Sequence, residues 1–313
     1  MQPISETAPT PRPWVSIVVP TFNRLQYVRP ALDSVFAQTF LDWDLIIADD
    51  GSGEDLRAYL RELEGRPRVK VVWLPHRGIP AAVRNAAVRE ATGTHVAFLD
   101  SDDLWAPRKL ERQLALLTAR PECRWSYTAF RQVDRQGAPL AEERTRRFTP
   151  HQGEIFEQLV AHTAELRTPS VMVARQLLCD VGGFDEAMRS GEDYDLWMRL
   201  ALWSPVALVD EPLVDVRRHD HNHSRNWAIA FDGRDRSLAK LQSAVDPGRR
   251  ALLRRERARN GAKLVAEHAR RGERFEALHA FVGSAAYSWS YPEWWWRALR
   301  AAAGSYLRAP SRR

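Results

Sequence analysis

Residues 98–107 read FLDSDDLWAP, the end of an apolar run, HVAFL (95–99), followed by Asp100, Asp102 and Asp103 within four positions. Carboxylates so close raise one another's pKa, and in a partly buried place they are costly unless something positive is near. Either they splay into water, as a turn and caps ahead of a helix near Pro107, or they hold a cation. The surroundings of the run decide between the two.

Upstream, VSIVV (15–19), WDLIIA (43–48) and VKVVWL (69–74) read as strands like HVAFL. Helical patterns separate them. One runs to about Ala37 with Leu32, Val35 and Phe36 on a single face, and DLRAYLRELEG (55–65) closes on Gly65. A third runs from Pro80, suited to a first helical turn, to about Ala91, with Gly93 past its end. Alternating strands and helices with continuous apolar strands imply a parallel sheet covered on both faces. A second acidic cluster, ADDGSG (48–53), follows the second strand as DSDD follows the fourth. Ligands of open α/β sheets bind beyond the carboxyl ends of the strands, so both clusters belong to one rim. Together they favour a hard divalent cation, Mg²⁺ or Mn²⁺, with open positions for substrate phosphates.

Downstream the pattern loosens. Residues 131–153 are polar and read as loop or hairpin, and TPSVMVAR (168–175) reads as a strand. VGGFDEAMRSGEDYDLWMRLAL is a glycine-broken loop running into a helix from about Asp193. Glu192 and Asp193 open that helix, where the macrodipole favours anions, although capping explains one carboxylate better than two. PLVDVRRH (212–219) is a strand ending in the histidine-rich RRHDHNHS (217–224). A neutral imidazole is a good metal ligand, but this spacing without cysteine is not that of a structural zinc site. From about Asn226 the chain reads as helices.

The chain has 313 residues, 44% hydrophobic and 27% charged, a soluble globular balance with enough length for a substantial core. Its two cysteines, Cys123 and Cys179, form no CxxC pattern, which argues against a disulfide framework and a cysteine-rich zinc site and fits a reducing compartment. No apolar stretch approaches the ~20 residues that span a bilayer. Residues 1–13 lack the basic and apolar regions of a signal peptide and read as a flexible leader. The expected location is therefore the cytoplasm. The net charge of +6 is uneven: residues 246–313 carry +9 and residues 1–245 carry −3, so an acidic partner belongs at the tail.

Taken in order, VSIVVPTFNR, DWDLIIADDGS, RNAAVREATGTHVAFLDSDDLWAPRKLERQ, GGFDEAMRSGEDYDLWMRL and RRHDHNHS resemble the family 2 glycosyltransferases over about residues 14–224. The resemblance implies a GT-A-type α/β fold, a mostly parallel sheet flanked by helices over residues 14–225, with a helical extension at 226–313. It implies inverting transfer from a nucleotide-diphosphate-sugar to a glycan or lipid-linked hydroxyl in surface polysaccharide synthesis, with Mn²⁺ or Mg²⁺. Carried over by motif, Pro20, Thr21, Asp50, Arg84, Asp100 and Ser101 would bind the nucleotide-sugar, with Asp50 at the base or ribose. Asp102 and His219 would hold the metal, with Asp103 a less certain third acid, and Asp193 would be the general base with Glu192 beside it. Arg84 reads equally as a surface arginine on a helix. His221 and His223 blur the histidine assignment, and ADDGSG lacks the Thr or Asp that often follows DGS in relatives.

The chemistry agrees with these roles. Inverting transfer needs a carboxylate to take the acceptor proton and a cation to stabilise the leaving diphosphate, hence two acidic sites held apart. No arrangement resembling an enzyme nucleophile is present. A nucleotidyltransferase, the nearest alternative, would carry a glycine-rich triphosphate loop after the first strand, and PTFNRLQ is not one. A non-catalytic relative would lack Asp102 or Asp193. In the tail, Trp295, Leu299, Ala302 and Tyr306 form a helical stripe opposite Arg297, Arg300 and Arg308. This pattern suits packing on the catalytic domain, a second copy of the chain, or an anionic membrane surface at the inner face of the plasma membrane. No nucleic-acid module is present.

Overall fold

The structure is a computed structural model that describes residues 14–140, 149–219, 227–288, 291, 292 and 294–296. Its centre is a strand, β1 (Val15–Thr21), paired in parallel with β2 (Trp43–Asp49) and β4 (His95–Phe98), while β2 pairs in parallel with β3 (Val69–Trp73). This is the alternating half read from the sequence. The connecting helices are α1 (Leu25–Phe36), α2 (Glu54–Glu64) and α3 (Pro80–Glu90). The period of two along the strands sorts the core. Val15, Ile17 and Val19 join Leu45 and Ile47 beneath α1 and α2, whereas Val18 joins Ile46, Ala48 and Phe98 beneath α3. All nine side chains are at most 1% exposed, and each full burial contributes about 1.5–3 kcal/mol for a residue of the Val, Leu, Ile or Phe class.

Beyond β4 the eight-stranded sheet becomes mixed, in the order β3-β2-β1-β4-β7-β6-β8-β5. The added strands are β5 (Leu104–Trp105), β6 (Trp125–Val133), β7 (Met172–Ala174) and β8 (Val206–Arg217). β7 runs antiparallel to β4 and β6, β8 parallel to β6, and β5 antiparallel to β8. Direction has a consequence for the rim. Because β7 opposes β4, with Met172 beside Ala97, the residues just before β7 emerge where β4 ends. Because Leu104 lies beside Asp215, the end of β8 arrives at the start of β5, next to Asp102 and Asp103.

Several details differ from the sequence reading. β5 is an added strand, β6 runs on to Val133 before a turn over Asp134–Ala138, and Thr168–Ser170 is a single 3-10 turn preceding a three-residue strand. β7 is shorter than the apolar run suggests because Pro169 lacks a ladder donor.

The remaining helices are α4 (Lys109–Ala119), α5 (Phe156–Ala161), α6 (Arg175–Asp180), α7 (Glu192–Ala201), α8 (Trp227–Leu241), α9 (Pro247–Arg271) and α10 (Arg274–Ser288). Leu238 and Leu241 of α8, Val245, and Leu253 of α9 belong to the same core as Phe98 and Trp197. The start of the helical extension is thus packed into the sheet domain. Trp294 is buried against Ala258, Ala262 and Val265 of α9, with Trp295 half-buried beside it and Trp296 exposed. Leu299, Ala302, Tyr306, Arg297, Arg300 and Arg308, the leader, and His221 and His223 lie outside the described residues.

Candidate active site

The first wall of the site is built where β1 and β2 end. Thr21 is 3% exposed, and its Oγ1 finds no hydrogen-bond partner among the described residues, an orphan hydroxyl at the rim beside the half-buried Pro20. The chain then turns through Asn23 and Arg24, both in the left-handed region at φ 55° and 59°. For an arginine this conformation is strained. It is held by two bonds across the rim: the Asn23 backbone N–H donates to Ser52 Oγ (2.7 Å), and Gly53 N–H donates to Asn23 Oδ1 (2.8 Å).

Asp50 accepts from Arg77 N–H at Oδ1 and from Gly78 N–H at Oδ2, both at 2.9 Å. Expected at a base or ribose, its carboxylate is found tying down loop 76–78. The His76 ring of that loop stacks on Phe22, centroids 4.1 Å apart.

The second wall is DSDD itself. The turn is present, with Asp103 N–H donating to Asp100 O (3.1 Å), but the capping half of that reading fails, since α4 has no side-chain cap. Asp103 is 4% exposed and accepts the Arg217 N–H at Oδ1 (2.7 Å). Burial pushes its carboxyl well up, helped by the Asp102 and Asp100 charges. Asp103 therefore joins β5 to β8, while Asp100, Ser101 and Asp102 remain half-exposed to the cleft. Asp102 Oδ2 lies 2.8 Å from His219 Nε2 and 3.7 Å from the Arg24 guanidinium. The buried His219 ring is stacked on Tyr27 at 4.9 Å.

The Asp102–His219 pair fits a divalent ion. A carboxylate oxygen and an imidazole nitrogen, here hydrogen-bonded to each other, are donor types that such an ion accepts. Among the described residues no group of three potential ligands gathers, so the remaining positions would fall to substrate and water.

The third wall is the start of α7, and Arg84 couples it to the second. The sequence left Arg84 between a surface residue and a substrate contact, but the structure buries it, 7% exposed. Its Nη1 donates to Glu192 Oε1 (2.8 Å) and its Nη2 to Asp100 Oδ1 (2.7 Å). One planar guanidinium thus ties the DSDD and GED segments, 16 and 108 residues away in the chain; burial opposes its charge, but the two carboxylates outweigh it and raise its pKa.

Asp193 stands next to this bridge, half-buried. Its Oδ1 accepts from Tyr194 N–H (2.8 Å), and Thr168 Oγ1 approaches Oδ2 at 3.5 Å from the 3-10 turn at the end of β4. Burial, then the Glu192 charge, pushes its carboxyl up to about 6, against the opposing pull of the Tyr194 N–H and Arg84. A carboxyl poised there can accept a proton near neutral pH. The Arg84 bridge thus joins Asp100 to Glu192 beside Asp193, and Thr21 and Asp50 stand together where β1 and β2 end. Sequence reasoning missed Thr168, Arg24, Arg217 and the Phe22–His76 pair. Only the strand directions place Thr168 and Arg217 at the rim, and the apolar run around Thr168 carries no such signal.

Residues 16–164 match the model described as Glycosyl transferase family 2. The chain spans about a third of the length of the rickettsial glycosyltransferases it matches at 29–31% identity. A putative teichuronic acid biosynthesis glycosyltransferase, TuaG of Bacillus subtilis, is 38% identical over 130 residues, 41% of this chain and 51% of that protein. Two solved structures share the fold. TarS of S. aureus (residues 1–349, in complex with UDP-GlcNAc) superposes with a TM-score of 0.67 at 18% identity, covering 93% of this chain and 89% of that one. The mannosyltransferase PcManGT from Pyrobaculum calidifontis, in complex with GDP-Man and Mn²⁺, gives 0.61 at 19% identity, covering 94% and 87%.

Proposed function

We propose that this chain, a member of glycosyl transferase family 2 through residues 16–164, transfers a sugar from a nucleotide-diphosphate donor to an acceptor hydroxyl with inversion. The observation that carries the proposal is the Arg84 bridge between Asp100 and Glu192, which brings two acidic centres with different tasks to one cleft. The donor side comprises Pro20, the orphan hydroxyl of Thr21, Asp50 with its pinned loop, and Asp100 and Ser101. Asp102 and His219 would hold Mn²⁺ or Mg²⁺, which when bound supplies positive charge to the leaving diphosphate.

On the other side Asp193 takes the acceptor proton. Tyr194 N–H and Thr168 orient its carboxylate, and its half-buried setting keeps its basicity high enough for the task. Glu192, engaged by Arg84, holds the helix start and does not compete for that proton. Removing the hydroxyl proton on one face while the diphosphate departs on the other requires no enzyme nucleophile. The similarity to TuaG, a putative teichuronic acid biosynthesis glycosyltransferase, supports a glycan or lipid-linked acceptor in surface polysaccharide synthesis.

An acceptor of that kind presents a membrane surface. Phe275, Leu278 and Val282 form an exposed apolar stripe on α10, near Arg270, Arg271 and Arg274, and suit such a surface or a second copy of the chain. No described helix is long and apolar enough to cross a membrane.

A nucleotide-sugar screen by thermal shift, with and without Mn²⁺, tests the proposal. A matching donor is expected to raise the midpoint with the metal and then to support transfer. If no nucleotide sugar either stabilises the chain or is consumed, the reading fails.

A further inference from the structure

We infer that α8, outside the segment matched by the family model, is a positioning element for the GED loop, and that Gly233 is the residue through which it acts. The inference rests on the proposed role of Asp193. Gly191, the residue before Glu192, adopts φ 75° at the N-cap of α7. Directly against it lies Gly233, in the first half of α8. A Cβ built on Gly233 would stand 2.0 Å from Ser190 O and 2.8 Å from Ser190 C. A Cβ built on Gly191 would meet Gly233 C at 3.6 Å and Arg234 N at 3.8 Å. Backbone rests on backbone here, and neither partner is a flexible side chain that could swing aside.

The clamp extends on both sides of this contact. Lys240 of α8 bonds Asp185 Oδ2 (2.7 Å), ahead of the loop, and Asp195 Oδ2 (2.9 Å), beyond it in α7. Buried Ser237 meets Met188 Sδ at 3.9 Å and bonds back to Gly233 O at 3.0 Å. Arg234 donates to Val160 O (3.0 Å) at the end of α5. The loop from Asp185 to Asp195 is thus held from behind by one helix, and its free side carries Glu192 and Asp193 to the cleft.

In the middle of an exposed helix a Gly→Ala change favours folding by about 1 kcal/mol. At Gly233 the steric contact reverses that expectation. The Ser190 carbonyl must retreat, and Asp193, three residues on, moves relative to Thr168 and the donor. The donor half hangs on β1, β2 and β4 and is left in place. Gly233→Ala should therefore lower kcat at least about tenfold, while the donor Kd changes less than about twofold.

Asp193, whose titration reflects Glu192, Asp100 and Arg84 as well as burial, should shift its midpoint by about half a pH unit or more. That shift is read by carbon-13 NMR of labelled aspartates, with the signal assigned by its loss in Asp193→Asn. The titration needs no turnover, so it reports on the clamp even if the wild-type chain transfers no sugar, a result that would sink the functional proposal alone. An unchanged kcat and midpoint in folded Gly233→Ala overturns the inference. So does an equal loss of donor affinity and thermal midpoint, which would mark a purely structural role. If Gly233→Ala does not fold, Lys240→Met, which loosens the clamp without adding bulk at the contact, is expected to lower kcat with donor affinity kept and to shift the midpoint. Wild-type values for both would overturn the inference equally.

Discussion

At the scale of the residue, the site turns on carboxylates that differ only in their surroundings. Asp193 is driven up to about 6 by burial and then by Glu192. In its proposed role as base the unprotonated form is the working one, so transfer should rise with pH through an acid limb near 6. The linkage to stability has the opposite sense. A carboxyl with a raised folded pKa favours folding most below its unfolded value, near 3.9, and that contribution is lost as pH rises through about 6. Near neutrality the ionised Asp193 thus costs folding on the order of 3 kcal/mol. Asp193→Asn removes this cost, and its thermal midpoint relative to wild type should improve between pH 5 and pH 7.5. A relative midpoint that falls over that interval would contradict the assignment. Asp102 should behave otherwise. Asp102→Ala removes the carboxylate 2.8 Å from His219 Nε2 and should abolish the Mn²⁺-dependent part of donor binding, read by calorimetry with and without the ion. Metal-dependent affinity equal to wild type would remove Asp102 from the metal site.

At the scale of the element, what the sequence could show was local. Apolar runs, glycine stops and acids following strands located β1 to β4, α1 to α3 and the rim that bears Asp50, Asp100 and Asp102. Arg84 was placed on a helix but not on a side of it. In α3 it is buried along with Ala81, Ala82, Ala86 and Ala87, and its guanidinium lies over the Phe184 ring. Periodicity does not report such a pairing, because Glu192 lies 108 residues away. Arg84→Met would leave Asp100 and Glu192 facing each other without their cation. The expected cost is about 3–5 kcal/mol of stability, read from urea midpoints, because breaking a buried pair leaves a charge uncompensated. Arg84→Lys should recover part of it, since one ammonium cannot fork to both carboxylates. Wild-type stability in Arg84→Met would mean that the bridge contributes nothing to holding the walls together.

At the scale of the whole molecule, the half of the sheet beyond β4 and the helices behind it were the least legible. Strand direction reverses at β7, and no pattern within MVA announces it; the reversal is set by partners far along the chain. The sequence read as helices from about residue 226 without showing what they pack on; Leu238, Leu241 and Leu253 fill the same core as Trp197. The face of α10 remains exposed in Phe275, Leu278 and Val282. If it meets an anionic membrane, Phe275→Glu with Leu278→Glu should reduce co-flotation with anionic vesicles and leave soluble-acceptor transfer unchanged. Unchanged flotation with a loss of self-association would assign the face to a second copy of the chain.

In the proposed reaction one group of acids grips the departing diphosphate with a cation, while Asp193 strips the proton from the incoming hydroxyl. The most direct test is the transfer rate of Asp193→Asn at saturating donor, measured with its donor affinity. The predicted result is a rate lowered by at least about a hundredfold with the donor Kd within about twofold of wild type. Transfer at the wild-type rate would contradict it.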